Sequence, residues 1–453
     1  MQSSLPELAS LLGIDWQGPS ISFEGVCIDS RLVTPDCLFV ALKGESFDGH
    51  DFVEQASSQA AACLVSQPVQ ASVPCLQVND TLLALQAMAK GWREQFSQPV
   101  VAITGSCGKT STRAIVSAIL STQGPVHASI KSYNNHIGVP LTLLGIKPTH
   151  QAVVAEVGTN GPGEIEALAE MVQPNVSIIT MAAPVHLDGL GSLAGIVQEK
   201  GALVRALKPG GVAVLNADDR AYETWVKMLA PGVRVVSFGR RSGADVSVTE
   251  WETLPKGDSR AKLTIDRKSV VIHVPLYGRH HASNVAAACA AAHSLGISLE
   301  DIVRGLEQVK AAPSRMAPKE GLNDSWIIDD SFNANPVAVK AALEELAASP
   351  RSKRVLVLGD MLELADDSQY YHEKVAEFAK KIGVDAMLLY GDESRCMVPV
   401  FGDQAQHFES HEALINALKP LLDADTVVLV KGSHSMHMDA VVQACLNNKE
   451  EQA

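Results

Sequence analysis

Three features are missing from this 453-residue chain, and each absence excludes a class of protein. No apolar run reaches the ~18 residues that a membrane-spanning helix needs. The first residues show no basic region followed by an apolar stretch, so we expect no secretory signal. There is no Lys/Arg-rich run, and 37 basic against 51 acidic residues give a formal charge of −14. We therefore expect no membrane insertion and no nucleic-acid binding.

Closely spaced cysteines and aromatic residues are also scarce. The eight cysteines include no C-x-x-C pair, so we expect reduced thiols in a cytoplasmic protein and neither a disulfide framework nor a cysteine zinc site. Aromatic residues make up 5% of the chain, but apolar residues make up 46%, which excludes a disordered or fibrous protein. At roughly 100–200 residues per domain, the length predicts about three domains. We expect the chain to act as a monomer.

The apolar runs divide the chain into three α/β domains. Residues 1–97 form a small domain that ends in a helical stretch near Thr81–Phe96. Residues 98–312 alternate buried strands with helix-length stretches, which is typical of a parallel sheet covered on both faces. Residues 313–453 repeat this pattern, which predicts a Rossmann-like, doubly wound unit.

Two stretches of the second domain have a different pattern. Residues ~240–276 alternate apolar and polar side chains, which predicts antiparallel strands. The Ala-rich stretch Asn284–Leu295 predicts a helix.

The strongest local signal is Thr104-Gly105-Ser106-Cys107-Gly108-Lys109-Thr110-Ser111, between an apolar strand and a predicted helix. Glycines let backbone N–H groups approach phosphate oxygens, and the helix N-terminus favours an anion. Lys109 would reach the terminal phosphates and the Thr110 hydroxyl would ligate Mg²⁺. The common phosphate loop has a glycine where this chain has Ile103, so this is a shortened variant. The alternative is a glycine turn with a surface lysine, but the flanking strand and helix favour phosphate binding.

Four other polar residues each have an ordinary structural explanation when taken singly. Glu156 follows a predicted strand and could hold Mg²⁺, or it could be a helix cap or a surface charge. His186 could be a hydrogen-bonded loop residue, Lys200 a solvated helix lysine and Asn284 a helix cap.

Together and in order, these residues resemble the Mur ligases, which add amino acids to the peptide stem of the bacterial cell-wall precursor. The resemblance covers nearly the whole chain. It rests on Gly105–Thr110, Glu156, His186, Lys200, Asn284, Pro313-Ser314-Arg315 and Asp329–Pro336.

Within the family, four segments resemble the branch that adds D-alanyl-D-alanine. They are Asp29-Ser30-Arg31 with Cys37–His50, then Asn134–Pro140, Gly191–Gly195 and Gly359–Leu364. The first is shared with the tripeptide-forming MurE type, and the last is the most specific to the D-alanyl-D-alanine branch. The Asp-Asn-Pro-Arg signature of the MurE type does not occur in the sequence.

The resemblance implies an ATP- and Mg²⁺-dependent ligase of peptidoglycan synthesis, on which cell shape and division depend. The carboxylate of UDP-N-acetylmuramoyl-tripeptide would attack the γ-phosphate of ATP to give an acyl phosphate and ADP. The amine of D-alanyl-D-alanine would then displace phosphate and give the UDP-linked pentapeptide. Because a carboxylate must approach a polyanion, Lys109 and magnesium would have to neutralise charge there.

The resemblance also implies a role for each site residue. Catalysis would depend on Lys109, Glu156, His186 and Lys200. ATP would contact Thr104, Gly105, Ser106, Cys107, Gly108, Lys109, Thr110, Ser111, Asn284, Arg315 and Asp330. Thr110 and Glu156 would hold one Mg²⁺, and His186 with a carbamylated Lys200 would hold a second. The UDP-substrate would contact Ser30, Arg31, Lys43, Asp48, His50, Asn134 and Asn135. The dipeptide region would include Phe332, Asn333, Asn335 and His434.

Four residues depart from the family pattern. His281 stands where asparagine is usual, and Ser314 replaces a glycine before Arg315. Phe332 and His434 stand where tyrosine and arginine are common, near the expected peptide site.

Three alternatives remain open from the sequence. One is a MurE-type single amino-acid ligase or a folyl-polyglutamate-type ligase. Another is a nucleotide-dependent scaffold or switch. The third is a zinc site at His280-His281 or at His434 and His437, although no Cys or carboxylate completes a familiar ligand set.

Overall fold

A computed structural model describes residues 1–44, 46–241, 243–254 and 257–447. Glu45 of the N-terminal segment and residues 448–453 of the predicted third domain lie outside the described residues. The described residues form a mixed α/β structure, as the sequence predicts. It contains three mainly parallel sheets and one two-stranded antiparallel pair. In the part that is described, no helix is both long and apolar enough to cross a membrane.

The N-terminal region is a small α/β unit. Its elements are β1 (Gln2–Ser4), α1 (Leu5–Leu11), β2 (Ser22–Glu24), β3 (Val26–Cys27), β4 (Leu38–Val40), α2 (Val53–Ser57), β5 (Ala62–Val65), β6 (Cys75–Gln77) and α3 (Thr81–Glu94). Strands β3-β4-β5-β6 form a parallel sheet, and β1 pairs with β2 antiparallel. The Asp80 side chain accepts from the N–H groups of Leu82 and Leu83 and so caps α3. The helix predicted near Thr81–Phe96 is confirmed.

The central region contains a nine-stranded sheet. Its elements are β7 (Val100–Thr104), α4 (Lys109–Leu120), β8 (Val126–Ala128), α5 (Gly138–Leu144), β9 (Ala152–Glu156), α6 (Glu164–Val172), β10 (Val176–Ile179), α7 (Leu187–Leu190), α8 (Leu193–Arg205), β11 (Val212–Asn216), α9 (Tyr222–Lys227), β12 (Arg234–Gly239), β13 (Val246–Thr253), β14 (Ser259–Ile265), β15 (Lys268–Val274), α10 (His281–Ser294) and α11 (Leu299–Glu307). The strand order is β15-β14-β13-β12-β11-β10-β7-β9-β8. Strands β8 to β13 are parallel, while β13-β14-β15 are antiparallel as predicted.

Strand β7 positions the functional site because the chain order reverses there. Its neighbours are β9 on one side and β10 on the other. In an open α/β sheet, the loop after such a strand faces a crevice at the carboxyl edge. Helix α10 packs on α4 beside this edge, and its Ala-rich sequence is buried around most of its circumference. Small side chains allow that close approach.

The C-terminal region is a second, mainly parallel α/β unit. Its elements are β16 (Ala317–Glu320), β17 (Trp326–Asp330), α12 (Pro336–Ala348), β18 (Lys353–Gly359), α13 (Ser368–Lys381), β19 (Ala386–Tyr390), α14 (Met397–Phe401), β20 (Ala405–Phe408), α15 (His411–Leu418), β21 (Thr426–Lys431) and α16 (Asp439–Cys445). The strand order is β16-β17-β21-β18-β19-β20, with only β16 antiparallel to its neighbour. The four predicted strands are confirmed as β17, β18, β19 and β21. The edge strands β16 and β20 were not predicted from the sequence.

Candidate nucleotide and metal site

A cavity of about 300 Å³ lies where the central and C-terminal regions face each other. The central region contributes residues 106–111 and the loops after β9 and β10. The C-terminal region contributes residues after β17, the start of α12 and Lys431. Of the sequence-predicted residues, it is lined by Ser106, Cys107, Gly108, Lys109, Thr110, Ser111, Asn134, Glu156, His186, Asn284, Arg315, Asp330, Phe332, Asn333 and Asn335.

The loop between β7 and α4 has the backbone geometry of an anion-binding turn. Gly108 has φ +83° and immediately precedes α4. A Cβ at Gly108 would lie 2.3 Å from Asn284 Oδ1, so this close approach requires glycine. The Lys109 ammonium donates to the Gly105 carbonyl at 2.7 Å. The free N–H groups at the start of α4 and this partly buried cation are suited to a phosphate group.

Glu156 ends β9 at the base of this cavity and is buried. Thr110 Oγ1 donates to Glu156 Oε2 at 3.0 Å, and Asn134 Nδ2 donates to Oε1 at 2.9 Å. Arg113 Nη1 lies 3.3 Å from Oε2. A hydroxyl and a carboxylate side by side are oxygen ligands of the kind that Mg²⁺ prefers.

Arg113 was not predicted as a site residue. It lies four residues after Lys109 on α4, so both side chains emerge from one helix face. That spacing was visible in the sequence and could have indicated a second cation at the site.

Lys200 lies on α8 with 2% of its surface exposed. It is not among the residues that line the cavity. Loss of solvent, together with the nearby Lys109 charge, lowers the pKa of Lys200 to about 7. A buried amine that is partly neutral near pH 7 can add CO₂, whereas a fully protonated lysine cannot. The environment of Lys200 therefore fits a carbamylated lysine better than a solvated one.

His186 lines the cavity and contacts the C-terminal region. Its Nδ1 lies 2.5 Å from Glu363 Oε2, and the backbone N–H of Leu187 donates to the Glu363 carbonyl at 3.0 Å. The ring N–H of the buried Nδ1 is not aligned for a hydrogen bond with any described residue, so the two side chains meet by close approach of Nδ1 and the carboxylate. His186 lowers the pKa of the Glu363 carboxyl. Glu363 was missed as a site residue, although it belongs to the segment Gly359–Leu364.

On the C-terminal side, charged and aromatic groups line the cavity opposite the phosphate loop. The Arg315 guanidinium lies 4.0 Å from the centroid of the Phe332 ring. The Phe332 and His434 rings lie 5.2 Å apart, and His434 is exposed outside the cavity lining.

Two further contacts fix the polar groups of this face. Lys431 Nζ lies 2.7 Å from Asp330 Oδ2 and donates to the Asn333 carbonyl at 2.6 Å. Asn335 Nδ2 donates to Cys107 Sγ at 3.3 Å, which links the phosphate loop to the start of α12. Lys431 was not predicted, because only the pairing of β17 with β21 brings it to Asp330.

A second cavity of about 1390 Å³ lies between the N-terminal region and the segment around α5. Ser30, Arg31 and Lys43 line it, but Asp48 and His50 do not. His50 is buried, with Nδ1 2.5 Å from Asp48 Oδ1 and Nε2 accepting from the Ser66 N–H at 2.9 Å. These two residues therefore hold the loop that carries Lys43.

The two asparagines predicted for the UDP-substrate also lie elsewhere. Asn134 contacts Glu156 in the nucleotide cavity. Asn135 Oδ1 accepts from the Gly138 N–H at 2.9 Å, at the start of α5. Neither residue is among those that line the larger cavity.

The histidine pairs give the zinc alternative little support. The His280 and His281 rings are 4.1 Å apart. The His434 and His437 rings are 6.4 Å apart. Across the ranges that the structure describes, there is no group of three or more His, Cys, Asp or Glu side chains that could hold a metal.

Family models match three parts of the chain. The Mur ligase family catalytic domain matches residues 22–93, the Mur ligase middle domain matches 103–292, and the Mur ligase glutamate ligase domain matches 314–434.

Full-length relatives show the same similarity. The UDP-N-acetylmuramoyl-tripeptide–D-alanyl-D-alanine ligase of Escherichia coli K12 is 39% identical over 449 residues, which cover 98% of each chain. A crystal structure of MurF from Acinetobacter baumannii has a TM-score of 0.91 and 32% identity, and the match covers 98% of each chain. MurF from Thermotoga maritima in complex with ADP has a TM-score of 0.82 and 25% identity, and the match covers 93% of this chain and 96% of that one.

Proposed function

The chain belongs to the Mur ligase family, and we propose that it joins D-alanyl-D-alanine to UDP-N-acetylmuramoyl-tripeptide with ATP. The observation that supports this most strongly is the 39% identity to a relative of that name over 98% of both chains. The products would be the UDP-linked pentapeptide, ADP and phosphate. The reaction would take place in the cytoplasm as a step of peptidoglycan precursor synthesis.

Three regions divide this work. Residues 1–97 would bind the UDP-substrate, 98–312 would bind ATP, and 313–453 would complete the nucleotide site as the ligase domain. The cavity between the second and third regions supports this division, because a nucleotide there would touch both. The similarity to a solved structure with ADP supports ATP as the nucleotide.

ATP would lie against the phosphate loop, with its phosphates at the start of α4. Lys109 would leave the Gly105 carbonyl for the terminal phosphates, since a phosphate oxygen is a stronger acceptor for an ammonium. Arg315 would add a second positive charge from the C-terminal side. Asn284 would help to hold the nucleotide on the side of its adenine base. Asp330 would be available to a ribose hydroxyl.

Magnesium would be held by Thr110 and Glu156, with a second ion at His186 and a carbamylated Lys200. The bound metal would neutralise the negative charge of the phosphates and of the incoming carboxylate. The neighbouring oxygens of Thr110 and Glu156 support the first assignment. The buried Lys200 amine, with its pKa lowered to about 7, supports the second.

The chain's own residues would then orient the reactants and exclude water. The tripeptide carboxylate attacks the γ-phosphate, and the bond between the β- and γ-phosphates breaks to release ADP. The amine of the dipeptide then attacks the acyl carbon, loses a proton and expels phosphate. Lys109 and Arg315 would stabilise charge on the transferred group. Phe332, Asn333 and Asn335 would face the dipeptide, because they line the cavity from the C-terminal side. His434 would join them through its contact with the Phe332 ring, although it lies outside the cavity lining.

Phosphate release tests the reaction directly. We expect release from ATP only when UDP-N-acetylmuramoyl-tripeptide and D-alanyl-D-alanine are both present, with each omitted in turn as the control. A single amino acid in place of the dipeptide should be a poor acceptor. Turnover with the single amino acid would favour the MurE-type or folyl-polyglutamate-type alternative. Nucleotide hydrolysis that ignores both substrates would favour a switch.

Intact-mass measurement tests the carbamylation. The native protein in bicarbonate should carry one added CO₂, and Lys200→Ala should not. Lys200→Ala should be inactive and partly rescued by acetate, which supplies a small carboxylate. Lys208→Ala, on an exposed turn after α8, is the control lysine. A free Lys200 ammonium in the active, nucleotide-bound enzyme would contradict the assignment.

A further inference from the structure

Glu363 and His186 belong to different regions of the chain but meet at two points. The side chains approach to 2.5 Å between Oε2 and Nδ1. The Leu187 N–H also donates to the Glu363 carbonyl at 3.0 Å. Both residues have positive φ angles, +52° for His186 and +64° for Glu363. A positive φ is uncommon for residues other than glycine. The two contacts therefore join two loops that both have an uncommon backbone conformation.

An apolar cluster lies beside these polar contacts. Leu187, Leu190 and Ile196 pack together, and Tyr371 of α13 packs against them from the C-terminal region. The cluster packs the segment that follows His186 against α13, the helix that follows the loop of Glu363. The carboxylate is therefore brought to the imidazole by packing and backbone contact, and not by a flexible side chain alone.

The chemistry of an imidazole gives this contact a consequence. A neutral histidine carries one proton, and the negative charge of a carboxylate close to one ring nitrogen favours the tautomer with the proton on that nitrogen. A proton on Nδ1 leaves the lone pair of Nε2 available to a cation. Residues that bond to the far nitrogen of a metal-binding histidine set its tautomer and ring orientation.

We propose that Glu363 is a positioning residue, which holds His186 with Nδ1 protonated and Nε2 available to a divalent cation in the nucleotide cavity. The proposal rests on the proposed function, because it assumes that His186 serves the metal site. Since Glu363 comes from the C-terminal region, docking of that region and orientation of His186 occur together. The metal site would be complete only in the docked arrangement.

The first test reads the imidazole itself, without metal or substrate. In protein labelled with ¹⁵N-histidine, the His186 signals are those missing from His186→Asn. We expect the wild-type shifts to report protonated Nδ1 and unprotonated Nε2. Glu363→Gln should shift this pair toward a mixture of tautomers, and Glu363→Asp should give an intermediate result.

Glu377→Gln is the matched control. Its carboxylate is in the same region, is as exposed as that of Glu363 at 52%, and pairs with Lys374 on the surface of α13. This substitution should leave the His186 signals and the kinetics unchanged. Melting temperatures of all variants check that folding is intact.

The second test separates positioning from interface stability. We expect Glu363→Gln to lower kcat ~10–100-fold and to raise the Mg²⁺ concentration needed for half-maximal rate. The KM for D-alanyl-D-alanine should stay within about threefold, since the substitution removes orientation and not dipeptide contacts. Glu363→Asp should recover part of kcat.

Unchanged His186 signals in Glu363→Gln would overturn the proposal, and so would a lower melting temperature with unchanged kcat. Failure of the proposed function has a different signature. In that case wild-type phosphate release would not depend on both substrates, whatever the histidine spectra show.

Discussion

At the scale of single residues, the nucleotide cavity holds more positive charge than its own acids neutralise. Burial lowers the pKa values of Lys109, Arg113 and Arg315, and Glu156 is the nearest buried carboxylate. Confining cations in a poorly solvated cavity costs free energy unless an anion joins them. The phosphates of ATP would provide that anion.

Lys109→Ala should therefore lower kcat/KM at least ~100-fold, because the variant loses a cation beside the transferred phosphate. The melting temperature without nucleotide should not fall, since the substitution removes a desolvated charge. Steady-state phosphate release and thermal unfolding measure the two effects. Lys90→Ala, exposed on α3, is the control and should behave as wild type. Near-normal turnover in Lys109→Ala would contradict the phosphate-loop assignment.

Lys200 should make stability depend on pH. Its pKa is about 7 in the folded protein against an ordinary value of 10.5, so unfolding between these pH values takes up a proton. The free energy of unfolding should therefore rise with pH across that window and level off below about 7. Lys200→Met should lack this contribution. Urea unfolding of both proteins in CO₂-free buffer, at several pH values from 7 to 10.5, measures the difference.

The other titrating groups are common to both proteins, so they cancel in the comparison. The free energy of unfolding of the wild type should increase relative to that of Lys200→Met as the pH rises. Parallel stability curves would show that the Lys200 amine is as well solvated in the folded protein as in the unfolded chain.

At the scale of elements, the site is a junction of β7, α4 and α10. Gly108 links the loop to α4, and Asn284 of α10 occupies the space beside it. Thr112 Oγ1 on α4 also lies 3.5 Å from Asn284 Oδ1. The loop shape therefore depends on a helix that is distant in sequence.

Gly108→Ala should weaken binding of an ATP analogue at least ~10-fold, because it combines a strained positive φ with a Cβ 2.3 Å from Asn284 Oδ1. Calorimetric titration measures the affinity. Gly210→Ala is the matched control, since Gly210 has φ +90° but no atom within 4 Å of the added Cβ. The control should lose some stability and keep its affinity. Equal affinities for the two variants would mean that the Gly108–Asn284 contact does not shape the nucleotide site.

At the scale of the whole molecule, the nucleotide cavity needs both the central and C-terminal regions. The polar contacts across it include Cys107 with Asn335 and His186 with Glu363. Interfaces between regions of one chain are usually modest, so a more open arrangement should be populated without ligands. Closure would also keep water from the acyl phosphate.

Small-angle scattering should show a larger radius of gyration for the free protein than for its complexes. Adding an ATP analogue should compact the particle in part, and adding the UDP-substrate should compact it further. The physical reason is that nucleotide bridges two regions, whereas the UDP-substrate also involves the first. The same radius of gyration in every state would contradict the closure model. Arg315 and Asp330 would then need a role that does not depend on domain movement.

Features that depend on neighbouring residues could be predicted from the sequence. The strand, glycine loop and helix at residues 100–120 follow from local apolar pattern and turn chemistry, and the structure has them as β7, the loop and α4. The parallel strands and the antiparallel hairpins of the central region followed from their different hydrophobic periods. The order of the family motifs sufficed to predict the Mur ligase family.

Contacts between side chains that are distant in sequence could not be predicted and follow from the packing of the folded chain. Asn134 faces Glu156 and not the larger cavity, and His50 is an internal support of its loop. Lys431 reaches Asp330 because β17 and β21 are neighbours. The burial of Lys200 and the approach of Glu363 to His186 likewise depend on how helices and loops pack. Local sequence sets backbone conformation through short-range sterics, whereas partners and pKa values depend on solvent exclusion and charges from segments far away in the chain.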